Sequence, residues 1–223
     1  AHYDLGNQLF ETFLDPTLMY SSALFAEGTK DLHSASLEKL DHICRKLHLE
    51  PTDHVLEIGT GWGGFAIHAA DHYGCRVTTT TISEEQYEHA GRLVKERNLE
   101  DRVTVLKQDY RDLTGQYDKL VSIEMIEAVG HHYLDTYVNT LSERLKPNGL
   151  ALIQAITIVE QRYQIAVTSV DFIKRYIFPG GFIPSIGSIM QSIGRASDLR
   201  RFHFADFASH SARTLAAWRH RFN

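Results

Sequence analysis

The sequence predicts an α/β protein built on a doubly wound parallel sheet, and two observations carry that reading. The first is the stretch Val55–Ala70. An apolar run ending at Ile58 breaks into a glycine-rich turn from Gly59 to Gly64 and resumes as a helix of small residues from Phe65 to Tyr73. A short apolar run bounded by turn residues marks a buried strand. Strand, glycine turn and helix in that order form a cradle for a nucleotide-type cofactor: glycine lets the backbone turn sharply and approach the ligand, and the helix N-terminus aims unpaired N–H groups at it. The second observation is the alternation of apolar runs with helical periodicity that continues to Thr157.

Each element has a local reason. Residues 1–25 are aromatic, with Phe10, Phe13, Tyr20 and Phe25, and are expected to lie against the rest of the chain. Within them Leu5–Leu14 reads as a short helix stopped by Asp15-Pro16, because proline pushes the preceding residue out of the helical region. Ser34–Leu47 is amphipathic, with Leu37, Leu40, Ile43, Cys44 and Leu47 on one stripe. Strands are expected at Asp53–Ile58, Arg76–Ile82, Val103–Gln108, Lys119–Glu124 and Leu150–Thr157. Helices are expected between them at Gly63–Tyr73, Ser83–Arg97 and His132–Leu145. Ser83 and Gln86 read as a capping box, and Lys146-Pro147-Asn148-Gly149 as a turn feeding the fifth strand. After Thr157 the alternation stops. Glu160–Arg175, Ile186–Arg195 and Thr214–Phe222 read as helices, and Tyr176–Ser185 as an apolar loop kinked by two prolines, which suits either a core or a tunnel wall. The expected organisation is a single domain over 1–223. Residues 1–50 form an N-terminal helical cover, 51–157 a cofactor-binding core, and 158–223 a substrate-side cap over the carboxyl ends of the strands, where open α/β sheets bind ligands.

Composition bounds the partners. A chain of 223 residues with 43% hydrophobic and 23% charged side chains can bury a sizeable core. A net charge of −5 argues against a nucleic-acid partner. No apolar run approaches the roughly 18 residues of a spanning helix, and no signal-peptide pattern opens the chain. Cys44 and Cys75 read as reduced core residues, which fits a cytoplasmic enzyme. His68 and His72 stand one helical turn apart, but no third ligand accompanies them, so they read as surface residues and no metal site is expected. The chain opens at Ala1 without methionine, so the native N-terminus is expected upstream.

Gly59, Gly61 and Gly64 satisfy the dinucleotide pattern G-x-G-x-x-G. Two features argue otherwise. Glu57 lies two places before the first glycine, and the second strand ends in threonines where a dinucleotide site would have an acidic residue for the ribose. The pattern Glu57-x-Gly59-x-Gly61-x-Gly63 is similar to motif I of the S-adenosylmethionine-dependent methyltransferases. The fourth strand brings Glu124 and Glu127 to the same edge, where a carboxylate is costly unless hydrogen-bonded or functional. Glu124 reads equally well as the cap of the following helix. Asp109 and Tyr110 close the third strand at the usual adenine position. His131 and His132 read either as near the substrate or as plain helix-start residues.

Taken together, His2-Tyr3-Asp4-Leu5, Leu14–Thr17, Tyr20-Ser21, Glu57–Gly63, Ser122–Glu127 and Phe178–Gly181 resemble the cyclopropane-fatty-acyl-phospholipid and mycolic acid synthases over essentially the whole chain. The resemblance implies a Rossmann-like sheet of the class I methyltransferase type and S-adenosyl-L-methionine as cofactor. It implies transfer of the methyl group to the cis double bond of an unsaturated fatty acyl chain of a phospholipid, with ring closure after loss of a proton. An alkene is a poor nucleophile, so such an enzyme aligns it and excludes water from the cation. Phe25, Tyr133, Phe172, Tyr176, Phe178 and Phe182 are the expected aromatic wall.

By the same resemblance, Tyr20, Ser21, Glu57, Gly59, Thr60, Gly61, Gly63, Thr81, Ile82, Gln86, Asp109, Tyr110 and Ile123 contact the cofactor, and Glu127, Ser22 and Gln154 are catalytic. The family's proton acceptor is a bicarbonate ion held by a cysteine, a glutamate, a histidine and a tyrosine. Only the glutamate is kept, as Glu127. Ser22, Gln154 and Ser211 stand at the other positions, and Ala128 replaces a second common histidine. Serine and glutamine still hydrogen-bond an anion, so the bicarbonate site stays open; a displaced base would give a methyl- or methylene-branched chain in place of a ring. The resemblance further implies peripheral contact with the inner membrane surface, leaves a homodimer open, and places further helices beyond Asn223. Two other readings are a small-molecule N-methyltransferase, whose amine substrate needs no cation-handling site, and a cofactor-binding protein that has lost catalysis.

Overall fold

The structure is a computed structural model that describes residues 7–223; the motif at 2–5 and the start of the expected Leu5–Leu14 helix lie outside the described residues. Strand β1 (His54–Ile58) alternates its side chains between two apolar clusters, Val55 joining one and Leu56 and Ile58 the other. Strands β2 (Arg76–Thr81) and β4 (Tyr117–Ile123) flank it in parallel, β3 (Val103–Lys107) extends the sheet beyond β2, and β5 (Leu145–Gln154) extends it beyond β4. The resulting order β3-β2-β1-β4-β5 reverses direction between β1 and β4, the switch point where parallel sheets open a crevice.

Helices α1 (Asn7–Phe13), α2 (Leu32–Lys46), α3 (Gly64–Tyr73), α4 (Glu84–Glu96), α5 (Leu134–Arg144), α6 (Glu160–Thr168), α7 (Ile186–Ala196) and α8 (Ala208–Phe222) surround the sheet. On one face Val55, Val77 and Val121 pack against Leu40, Ile43 and Cys44 of α2 and Phe65, Ala66 and Ala69 of α3. On the other, Leu56, Ile58 and Leu120 pack against Tyr137, Val138 and Leu141 of α5, with Ile189 and Ile193 of α7 at the margin. Each large side chain buried in this way contributes about 1.5–3 kcal/mol, so the two stripes hold the layers together. Cys44 and Cys75 are buried free thiols, and burial pushes the Cys75 thiol up to about 11. The N-terminal aromatics do pack: Phe10 lies 4.5 Å from Trp62 of the glycine turn, and Tyr20 lies 5.4 Å from Trp218 of α8, ring centre to ring centre.

Several elements depart from expectation. The expected helix Glu160–Arg175 ends at Thr168, whose hydroxyl turns back on the carbonyls of Gln164 and Ile165. Ser169 is extended, and a π-helical turn follows at Ile173–Ile177. Helix α8 begins at Ala208, upstream of Thr214, because Thr214 is buried in its middle and accepts the Ala23 N–H at 3.0 Å. The Lys146–Gly149 turn lies inside β5. The register passes from Tyr117↔Leu145 to Lys119↔Leu150 around it, with Asn148 at φ +66°. The expected helix His132–Leu145 starts at Leu134 after a 3₁₀ turn over His131–Tyr133. His68 is buried, not on the surface: α2 covers α3, and the His68 Nε2 lies 2.9 Å from Asp41 Oδ1.

Candidate active site

The glycine turn begins at the switch point. Gly59 N–H and Thr60 N–H both reach the Thr80 carbonyl at 3.1 and 3.0 Å, and Gln108 N–H reaches that of Thr81 at 3.1 Å, which stitches the ends of β1, β2 and β3 into one edge. Gly61 sits at φ +53° with open space where a side chain would project, so the turn leaves room at the N-terminus of α3. At Gly64 an added Cβ would lie 2.7 Å from the Met19 sulfur, so here glycine admits the N-terminal segment itself.

Polar partners brace this edge from behind. The register pairs Glu57 with Thr79, and the Thr79 hydroxyl lies 2.6 Å from Glu57 Oε2 and 2.7 Å from Thr60 Oγ1. Burial pushes the Glu57 carboxyl up to about 8. Glu57 therefore supports the turn from its buried side. Thr81 donates to Gln86 Oε1 at 2.8 Å, and Ser83 Oγ accepts the Gln86 N–H that opens α4. Ile82 projects from the end of β2 with 76% of its surface exposed. Asp109 receives Arg111 Nε and Nη2 at 2.9 and 2.7 Å, which holds its carboxyl below the usual range. Tyr110 stacks edge-on against Tyr137 at 5.7 Å, and Ile123 is half-buried at the end of β4.

Past β4 the two glutamates have opposite surroundings. Glu124 caps no helix. Its backbone takes the left-handed region at φ +48°, and its Oε1 accepts Ser22 N–H at 2.9 Å and Gln154 Nε2 at 2.8 Å. Gln154 Nε2 also donates to the Ser22 carbonyl at 3.2 Å, and Ser211 Oγ lies 3.0 Å from Ser22 Oγ. Ser22 and Gln154 thus meet at Glu124, with Ser211 behind Ser22, around a residue whose sequence position fits a cap as well as a function. Glu127 accepts Ile156 N–H at 2.5 Å through Oε1, while Oε2 is buried without a partner. Burial pushes its carboxyl up to about 7, the backbone bond opposes this, and the charge of Glu124 adds to it. The Phe182 N–H fixes the Glu127 carbonyl at 2.9 Å.

Behind Tyr20 and Ser21 stands a group the sequence reading missed. Lys39 is 2% exposed and donates to Ser21 Oγ at 2.6 Å. Burial lowers its ammonium to about 8 while Glu124 and Asp15 pull it upward. Asp15 is itself held by Thr17, His33 and Ser36. The available signal was position: Lys39 falls on the buried stripe of α2 between Ser36 and Ile43. The Tyr20 phenol is pushed up by burial and then by Glu124. The expected aromatic wall divides. Phe25 and Phe182 are buried in packing, Phe178 is half-buried, and Tyr133, Phe172 and Tyr176 are exposed.

The family described as mycolic acid cyclopropane synthetase matches residues 1–223. The chain belongs to that family. It is 40% identical over 229 residues to tuberculostearic acid methyltransferase UfaA1 of Mycobacterium tuberculosis, covering 100% of this chain and 53% of that protein. It is 41% identical over 221 residues to the cyclopropane-fatty-acyl-phospholipid synthase of Escherichia coli K12, covering 99% and 55%. The chain spans about half the length of these relatives. The structure of mycolic acid cyclopropane synthase CmaA1 complexed with SAH and CTAB aligns with a TM-score of 0.91 at 30% identity, covering 99% of this chain and 80% of that one. The parallel sheet with helices on both faces is the class I methyltransferase arrangement that this cyclopropane synthetase family shares.

Proposed function

We propose that this chain forms the methyl-transferring part of an S-adenosylmethionine-dependent enzyme that acts on the cis double bond of an unsaturated fatty acyl chain of a phospholipid, forming a cyclopropane ring. One observation carries the reading: an open glycine turn and a pair of carboxyl groups, one with a buried unpartnered oxygen, occupy the same sheet edge. The space at Gly61, the N-terminus of α3, the exposed Ile82 and the carboxylate of Asp109 fit a cofactor with one amino-acid end and one nucleoside end. Tyr20 and Ser21, which the resemblance assigns to the cofactor, follow Met19, whose sulfur meets the same turn at Gly64. When bound, the cofactor supplies an electrophilic sulfonium methyl.

With the cofactor held there, its methyl would pass to the π pair of the lipid double bond, the C–S pair remaining on sulfur. The neighbouring lipid carbon is left cationic. A proton then leaves the new methyl group for the Glu124–Glu127 pair, and its C–H electrons close the ring. If a hydride first shifts from the methyl-bearing carbon to the cationic one, the same C–H electrons form a C=C bond and the product is a methylene branch. One relative is named a cyclopropane synthase and another a methyltransferase, which supports keeping both outcomes in view. Val170, Phe172, Ile173 and Tyr176 present exposed apolar surface beside Lys174 and Arg175, which supports peripheral contact with a lipid surface. No helix among the described residues is long and apolar enough to cross a membrane.

The test uses the intact protein, methyl-labelled S-adenosylmethionine and vesicles of unsaturated phospholipid. Label is expected in the fatty acid fraction. Label on amines with none in lipid would move the assignment to an N-methyltransferase. Glu127→Gln is expected to lower turnover about 100-fold while cofactor binding persists.

A further inference from the structure

We propose that the Glu124 carboxylate is the resident anion of this site, standing where the family resemblance places bicarbonate and receiving the methyl proton itself. The inference rests on the methyltransferase reading above and concerns its proton acceptor.

The donors that would hold an external anion are already committed. Ser22 N–H and Gln154 Nε2 converge on the same oxygen, Glu124 Oε1, at 2.9 and 2.8 Å. Gln154 Nε2 also donates to the Ser22 carbonyl, and Ser211 Oγ is engaged with Ser22 Oγ. A carboxylate and a bicarbonate share the planar O–C–O unit and the single negative charge, so they compete for one set of donors. A second anion beside Glu124 would meet like-charge repulsion in a partly desolvated site. Bicarbonate therefore does not fit the residues present.

Two further features belong to the same arrangement. Lys39, buried one layer behind, carries the positive charge that answers Glu124, and it also fixes Ser21. The backbone at Glu124 is held at φ +48°, a conformation glycine adopts without strain and an L-residue adopts at a cost. A glutamate kept in that conformation, with its carboxylate seated on amide donors drawn from the N-terminal segment and the end of β5, is a built acceptor. The C–H bond of the transferred methyl breaks, the proton goes to Glu124, and the electron pair stays with the lipid. No oxidant or reductant is required.

The inference is tested on the intact protein in carbon-dioxide-scrubbed buffer, with and without millimolar bicarbonate. The wild-type rate of lipid methylation is expected to stay within about twofold, and Glu124→Gly to fall about 100-fold. Glycine suits the local φ, so that variant should keep its fold, checked by thermal unfolding and by binding of S-adenosylhomocysteine. Added bicarbonate should raise the Glu124→Gly rate at least about tenfold by occupying the released donors. Independently of activity, ¹³C-bicarbonate should broaden in NMR with Glu124→Gly and not with wild type. Stimulation of the wild type by bicarbonate, broadening with the wild type, or full Glu124→Gly activity without bicarbonate would each overturn the inference. If Glu124→Gly does not fold, Glu124→Gln decides: its amide fills the same space, so loss of rate without rescue is expected and full rate overturns. A wild type that methylates no lipid in either buffer defeats the functional reading, while the NMR arm still decides whether Glu124 excludes the anion.

Discussion

The glycine-turn edge and the cap after β5 are built on opposite plans. On the edge, polar groups are held from behind by buried partners: Glu57 by Thr79, Thr81 by Gln86, Ser21 by Lys39. In the cap, Ile165, Val170, Phe172 and Tyr176 are left uncovered, and α6 and α7 bury few side chains of their own. The difference teaches where each specificity comes from. A polar cofactor is recognised by preset donors and backbone shape, whereas an acyl chain is recognised by apolar surface the protein has not covered with itself. Phe182 joins the two plans, since it belongs to the cap in sequence but lies 3% exposed in the sheet core.

Phe182→Ala is therefore the sharpest way to break the contrast. It should cost about 3–5 kcal/mol in urea unfolding; a cost near zero would mean the cap is not anchored to the sheet. Gly61→Val comes next. A β-branched residue at φ +53° fills the open space and strains the turn, so S-adenosylmethionine affinity by calorimetry should fall about 100-fold, near 3 kcal/mol. Unchanged affinity would move the cofactor away from this turn.

Glu57→Gln probes the bracing. Burial raises the carboxyls of Glu57 to about 8 and Glu127 to about 7, so between the ordinary carboxylate range and these values the native state binds more protons than the unfolded chain. Stability is full below that range and falls as pH rises toward 8. Glu57→Gln keeps the oxygen that accepts from Thr79 without the charge. It should flatten the slope and gain about 1–3 kcal/mol over wild type near pH 8 in urea midpoints. A slope equal to wild type would show that Glu57 is not the group responsible. The smallest stability change, under about 0.5 kcal/mol, is expected for Phe172→Ser with Tyr176→Ser, because both side chains are exposed. Sedimentation with phospholipid vesicles should nevertheless weaken several-fold while cofactor affinity holds; unchanged sedimentation would remove this surface from lipid contact.

Much of the fold was readable locally. The strand–glycine–helix unit at 55–73, the buried stripe of α2 and the Asp15-Pro16 stop depend on neighbours a few residues apart, and they lie within a residue or two of the expected positions. The cap was read less well. Thr168 and Ser169 end α6 through hydroxyl bonds to the backbone that compete with the helix, an outcome periodicity does not register. At the site, Glu127 stood out as a carboxyl at a strand end. Glu124 reads equally as a cap, and Lys39 does not stand out at all, because their partners lie in other elements.

The sequence by itself determined the layer order of strands and helices and the shape of the glycine turn, since side-chain alternation, helical period and glycine's backbone freedom act within a single element. Only the tertiary structure decided what the second carboxylate does. Ser22 and Glu124 are 102 residues apart, and Ser22 and Ser211 are 189 apart. Only the packing of α1 and α8 over the glycine turn, and the pairing of β5 beside β4, bring Ser22 N–H and Gln154 Nε2 onto one Glu124 oxygen and Ser211 against Ser22.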